Sequence, residues 1–194
     1  MADDGSGISR RPMQAAFSVN ASWRPSFWTE VAARLAACAG GAGARCLSLG
    51  AGEWLLVAPL DREAALAQAL EACLSDCDAD LHCVSDAWSA WGIGGSVPAA
   101  RALLAHGADI SWPAPDAEPD DFIWRGALGP YAVLIWQRSS DQALEVWVER
   151  SYCESLGFWL SRREGLTAGS SGGGMASREA ASRGLVSRGK AAGA

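Results

Sequence analysis

Two histidines and six cysteines are the residues of this 194-residue chain best able to do chemistry, and their spacing limits what they can do. Cys73 and Cys77 are four apart on an expected helix, so they share a face, and His82 and Cys83 follow closely. A metal site can be imagined there, but the chain has no C-x-x-C pair and the spacing fits no zinc pattern. Cys38, Cys46, Cys73, Cys77, Cys83 and Cys153 read instead as small buried thiols in an Ala-rich core. His82 sits at an expected strand start. His106 stands beside Gly107 at an expected helix end, where an imidazolium would favour the C-terminal dipole. Neither has the placed nucleophile that a triad needs. Gly169-Ser170-Ser171-Gly172-Gly173 has the letters of a nucleophile elbow, without a strand before it or a helix after it. Gly92-Ile93-Gly94-Gly95-Ser96 lies between an expected strand and helix, the setting of a phosphate loop. Its third glycine is misplaced and no Lys-Ser or Lys-Thr follows, so it reads as a tight turn. The acidic stretch 116–121 fits no calcium loop and reads as a solvated connection or a partner contact. No catalytic, cofactor-binding or metal-binding residue is assigned.

The elements that would position any site are marked by tryptophan. Ten tryptophans run from Trp23 to Trp159, against two Tyr and four Phe. Each can bury about 150–250 Å², so they describe cores and interfaces before they describe a site. They divide the chain into a first segment, 1–22, expected to be poorly ordered; a body, 23–163, with room for two small lobes; and a Gly/Ser/Ala/Arg tail, 164–194, expected to be disordered. Net charge is −6. From Ser161 onward, six basic against two acidic residues give +4, which leaves −10 for the rest. An acidic body argues against nucleic acid as a partner. The acidic start carries no secretory signal, no apolar run reaches the ~20 residues of a membrane span, and the expected location is cytoplasmic.

The periodicity predicts helices over 27–39, from Asp61 as N-cap to about Cys77, a short one after Gly94-Gly95-Ser96 with Pro98 in its first turn and Gly107 as C-cap, and one from Ser151 onward. Ser151 and Glu154 fit a capping box. The helix it opens carries Leu156, Trp159, Leu160 and Arg163 on one stripe. Strands are expected over 45–49 and 53–58, joined by Gly50-Ala51-Gly52, and over 81–84, 87–93, 122–128, 131–136 and 144–148. In the last, Leu144, Val146 and Val148 alternate with Glu145, Trp147 and Glu149, the pattern of a sheet with one covered face. Connections this short do not allow repeated parallel crossovers. The expected class is α+β, with antiparallel sheets and helices on one face.

Three stretches are more specific than that class. One is Leu47-Ser48-Leu49-Gly50-Ala51-Gly52-Glu53-Trp54-Leu55-Leu56-Val57. Another begins Val84-Ser85-Asp86-Ala87-Trp88 and runs through Arg101-Ala102-Leu103-Leu104-Ala105-His106-Gly107-Ala108-Asp109-Ile110. The third pairs Val148-Glu149-Arg150-Ser151-Tyr152 with Phe158-Trp159-Leu160. Together they resemble the gamma subunit family of heterotetrameric sarcosine oxidase. That family shows an LGPDEWLL hairpin, a DVS strand, a GP-x-A-x-x-LLA-x-G helix and an RSF/Y…WL end. The resemblance covers roughly residues 45–163. The chain departs from it where Ala51-Gly52 replaces Pro-Asp, where Cys83 stands for the aspartate before Val-Ser, and where Gly95-Ser96-Val97-Pro98 replaces the Gly-Pro helix start.

The resemblance implies an aminomethyltransferase-like, folate-binding fold. It also implies a bacterial complex that oxidatively demethylates sarcosine or a related N-methyl amine. FAD, FMN, NAD and tetrahydrofolate are then expected on partner subunits, and alpha, beta and delta subunits are the expected partners. This chain would be a non-catalytic structural subunit, with Trp112, in a Pro-rich loop, and Trp147, on the polar side of its strand, facing them. The alternative is a stand-alone folate- or small-molecule-binding protein of the same fold.

Overall fold

The computed structural model describes residues 7–21, 24–113 and 121–170, the side chains of 165–170 excepted. Its strands are all paired antiparallel. They run β1 (Ile8–Arg10), β2 (Gln14–Ala21), β3 (Arg45–Gly50), β4 (Glu53–Pro59), β5 (Ala79–Cys83), β6 (Trp88–Ile93), β7 (Phe122–Leu128), β8 (Tyr131–Gln137) and β9 (Leu144–Glu149). Four helices accompany them: α1 (Pro25–Ala42), α2 (Glu63–Leu74), α3 (Val97–Ala105) and α4 (Cys153–Ser170). The α+β class with antiparallel sheets is therefore as the sequence implies.

The strands form two sheets, ordered β3-β4-β2-β5 and β1-β6-β9-β8-β7. The first contains one uninterrupted β-α-β-β-α-β unit, β2-α1-β3-β4-α2-β5, the split βαβ motif. The second resembles it but runs β6-α3-β7-β8-β9-α4, with three strands between its helices where the first has two, and no described strand follows α4. The place beside β6 is taken by β1, from the start of the chain.

Three buried clusters stack these parts into four layers. Val31 and Leu35 of α1, with Leu66 and Leu70 of α2, pack on Phe17, Val19 and Leu56 of the first sheet. Leu103 and Leu104 of α3, with Leu156 and Leu160 of α4, pack on Val133, Ile135, Val146 and Val148 of the second. Between the sheets lie Leu47, Leu55 and Val57 against Leu134, Trp136 and Trp147. Each sheet has helices on one face and the other sheet on its second face. The middle strands β4, β8 and β9 are consequently buried along nearly their whole length.

Several expectations change. The opening segment is not poorly ordered over 7–21: β2 lies in the middle of its sheet, between β4 and β5. Its Ala15, Ala16 and Ser18 have weak strand preference, and the pairing on both sides overrides it. The first helix does not stop at 39: α1 continues through Gly40 and Gly41 to Ala42 and stops at Gly43, whose φ of 66° is left-handed. Asp61 does not cap α2. It sits in a 3-10 turn, Leu60–Arg62, that leads into the helix without a side-chain cap. The expected capping box at Ser151 is likewise replaced by a 3-10 turn, Arg150–Tyr152, and Glu154 pairs with Arg10 at 2.6 Å. Finally, α4 runs to Ser170, past the expected end of the body at Arg163.

Candidate functional site

The residues singled out for chemistry do not converge. His82 is exposed on β5, an edge strand of the first sheet. His106 is exposed at the end of α3, in the other unit, where its carbonyl accepts a hydrogen bond from Arg163. Gly92 and Ile93 belong to β6. Ser96 caps α3 by accepting from the Ala99 amide at 3.4 Å, so this stretch is the tight turn expected of it. Cys153 is 1% exposed in the core, as a small buried thiol should be. Cys83 is exposed, contrary to that reading, because β5 has no neighbour on its outer side. Among the described residues no group of three or more His, Cys, Asp or Glu could hold a metal ion. Of the acidic stretch, 114–120 lies outside the described residues. Asp121 is held by Ser139, whose amide and hydroxyl both donate to it at 2.9 Å, and by the Trp136 indole N–H at 3.0 Å. In the elbow-like sequence, Gly169 and Ser170 end α4 and 171–173 lie outside the described residues.

Three constellations appear instead. The first surrounds Glu145, whose side chain is only 2% exposed on the inner face of β9. Its Oε1 lies 3.2 Å from Arg11 and 3.5 Å from Arg138, and its Oε2 accepts the Trp147 indole N–H at 3.1 Å. Arg11 fits only because β6 has no side chain at Gly92: a Cβ there would stand 2.5 Å from the guanidinium. The chain at this point crosses from β1 in one sheet to β2 in the other, so the ion cluster pins the crossover between the sheets. A carboxylate held between two arginines and an indole donor is a structural lock.

The second constellation holds Trp112. Its ring is half-buried, 5.1 Å from Phe122 by centroid, with the Arg101 guanidinium 4.8 Å above it. Arg101 also donates to Gln137 Oε1 at 3.2 and 2.9 Å. Trp112 is thus clamped on two sides at the foot of the 114–120 stretch.

The third is an aromatic strip on the outer face of α4 and the turn before it. Tyr152 and Phe158 are 52% and 63% exposed, the most exposed large apolar side chains among the described residues. Tyr131 meets Tyr152 edge-on at 6.3 Å, and Arg162 stacks 4.8 Å from the Phe158 ring. The inward stripe was read correctly, since Leu156 and Leu160 are fully buried. Phe158 stands two residues from each, so its outward phase was legible. Trp147 is the opposite case. It is 2% exposed and packs 6.4 Å from Trp136 between the sheets, so it does not face a partner. The first sheet covers the side of β9 that the alternation assigned to solvent.

An exposed aromatic and arginine strip is binding chemistry, not bond-making chemistry. No family model matches the chain, and no curated protein matches it in sequence. Among solved structures, a chain of the heterotetrameric sarcosine oxidase from Corynebacterium sp. U-96, in complex with pyrrole 2-carboxylate, is similar at TM-score 0.62. The identity is 22%, and the likeness covers 82% of this chain and 83% of that one. It is a likeness of fold. The ligand-free regulatory subunit of aspartate kinase from Thermus thermophilus is similar at TM-score 0.49 and 14% identity, over 81% of this chain and 97% of that one. Among the described residues no helix is long and apolar enough to cross a membrane.

Proposed function

We propose that this chain is the non-catalytic gamma-type subunit of a heterotetrameric, flavin-dependent sarcosine oxidase, acting on sarcosine or a related N-methyl amine in the bacterial cytoplasm. The observation that carries the reading is the fold likeness to a chain of such a complex over four fifths of both chains. The ordered motifs from the LGAGEWLL hairpin to the Trp159-Leu160 end support it, and so does the antiparallel α+β architecture, which is consistent with an aminomethyltransferase-like fold. On this reading FAD, FMN, NAD and tetrahydrofolate belong to alpha, beta and delta partners. The strip of Tyr152, Phe158 and Arg162, with Trp112, meets them, because exposed aromatic and arginine side chains supply interface hot spots.

The test is affinity capture of the tagged chain from its native host, followed by absorbance spectroscopy and mass spectrometry. Co-purification of flavin-bearing subunits that oxidise sarcosine, with no flavin on the chain alone, is the expected result. A well-behaved monomer with no flavoprotein attached overturns the subunit reading and favours a stand-alone binding protein.

A further inference from the structure

The outer side of β5 is a sheet edge with no strand against it. Of the other edges, β3 and β7 lie against each other across the two sheets, and β1 lies against α4. β5 pairs with β2 on one side only. Sheet edges are commonly blunted by a lysine, a proline or a bulge. β5 reads Ala79-Asp80-Leu81-His82-Cys83 and pairs with β2 without a break, so it has none of these.

The ladder fixes which peptide groups β5 leaves over. The Val84 amide donates to the Ala16 carbonyl at 2.8 Å, so Val84 turns its main chain towards β2. Main-chain direction alternates along an antiparallel strand. The amides and carbonyls of Ala79, Leu81 and Cys83 therefore point away from β2. The side chains alternate across the sheet in the same rhythm. Ala79 and Leu81 pack into the cluster beneath α1 and α2, while Asp80 and His82 are exposed together on the opposite face.

This order is self-complementary. A two-fold axis through Leu81, perpendicular to the sheet, lays the strand antiparallel to a copy of itself with Leu81 opposite Leu81. The two Leu81 residues, with outward peptide groups, then exchange both main-chain bonds. Asp80 of each copy stands opposite His82 of the other, at the closer, non-hydrogen-bonded positions. Cβ atoms at such positions are about 4.5–5.5 Å apart, within reach of an imidazole N–H donating to a carboxylate. Moving the axis to residue 80 sets Asp80 against Asp80, and moving it to residue 82 sets His82 against His82. Only the axis through Leu81 pairs unlike groups twice. We propose that the chain forms a two-fold dimer through β5, joining two four-stranded sheets edge to edge into one continuous sheet. This goes beyond the subunit reading and does not depend on it, because the aromatic strip lies on α4 in the other unit. A five-residue edge is a small interface, so the dissociation constant should fall between about 1 µM and 1 mM.

Sedimentation velocity of the purified full chain across that concentration range is the test, and a reversible shift from monomer to dimer is expected. Cys83→Pro removes an outward amide and leaves the β2 ladder whole. It should stay monomeric with an unchanged circular dichroism spectrum. Asp80→Lys, which sets a lysine opposite each His82, should weaken the dimer about tenfold or more, and adding His82→Asp should restore it. Register is read by mixing Asp80→Cys and His82→Cys chains, each also carrying Cys83→Ser, and oxidising them: the mixed 80–82 disulfide should exceed either like-with-like product. A chain that stays monomeric at about 1 mM overturns the proposal. So does a dimer that survives both Cys83→Pro and Asp80→Lys, or a failure of the double charge exchange to restore it. Cross-linking of the Asp80→Cys chain to a different protein in the native host, and not to a second copy, would also overturn it and assign the edge to a hetero-partner.

Discussion

The indole of Trp91 lies against Gly157 where α4 crosses β6. Its Nε1–H donates to the Cys153 carbonyl at 3.0 Å, and a Cβ added to Gly157 would fall 2.2 Å from the ring. A rigid ring seated between two elements cannot move aside without breaking that bond. Gly157→Ala should therefore destabilise the fold by about 1–3 kcal/mol, the usual cost of overpacking, despite the better helix propensity of alanine. Urea denaturation checks it. A variant as stable as the parent would mean that α4 shifts freely on the sheet.

Glu145→Gln should be the most damaging single change between the sheets. It keeps an acceptor for the Trp147 indole but takes the counter-charge from Arg11 and leaves Arg138 with Asp141 alone, at 3.0 Å. Because the two arginines are 33% and 26% exposed, the expected loss is about 2–4 kcal/mol, somewhat below that for a fully buried pair. Replacing Arg10, whose pair with Glu154 is exposed, should cost under about 1 kcal/mol in the same denaturation series.

Stability should fall in acid partly through Asp121. Burial pushes its carboxyl up, but the hydrogen bonds from Ser139 and Trp136 and the charge of Arg45 outweigh this and hold it below the ordinary carboxylate range. A carboxylate depressed in the folded state adds stability above its unfolded value, and that contribution is lost as pH falls through the folded one. Below about pH 4 the parent should lose stability more steeply than Asp121→Asn, while at pH 7 the Asn variant should be the weaker of the two. Thermal melts across this range give the comparison. Parallel curves would remove Asp121 from the account.

The aromatic strip on α4 should matter for assembly and not for folding. Tyr152→Ala with Phe158→Ala removes side chains that are mostly exposed, so the melting temperature should change by no more than a few degrees. Recovery of flavoprotein in the affinity capture should drop at least tenfold, since paired hot-spot losses exceed about 1.4 kcal/mol. Full recovery would place the interface elsewhere, with Trp112 next to be tested.

Ser151→Ala should cost less than about 0.5 kcal/mol, because Ser151 lies in a 3-10 turn and does not act as an N-cap. A loss near 1 kcal/mol in denaturation would restore the capping box.

Local pattern explains what the sequence disclosed. The β3–β4 and β7–β8 hairpins were legible because apolar runs flank Gly52 and Gly129, and α2 was legible from Leu66 and Leu70. β2 was not, since Ala15, Ala16 and Ser18 become a strand only through partners far away in the chain. Period-two alternation told which residues of β9 share a face. It could not tell that a second sheet covers the other face, and so Trp147 was misplaced. The Glu145 cluster was out of reach for the same reason: Arg11 meets it only after the two sheets have closed.

The borrowed strand β1 makes the linear order of this chain partly arbitrary. Gly7, just before β1, lies beside Glu164 of α4, a Cβ on the glycine being 3.9 Å from the Glu164 carboxylate. A short linker from α4 back to β1, with new ends opened after β5, would let β1 follow α4 as β5 follows α2 in the first unit. The protein should therefore tolerate circular permutation, and opened after β5 it would read as two complete units encoded one after the other.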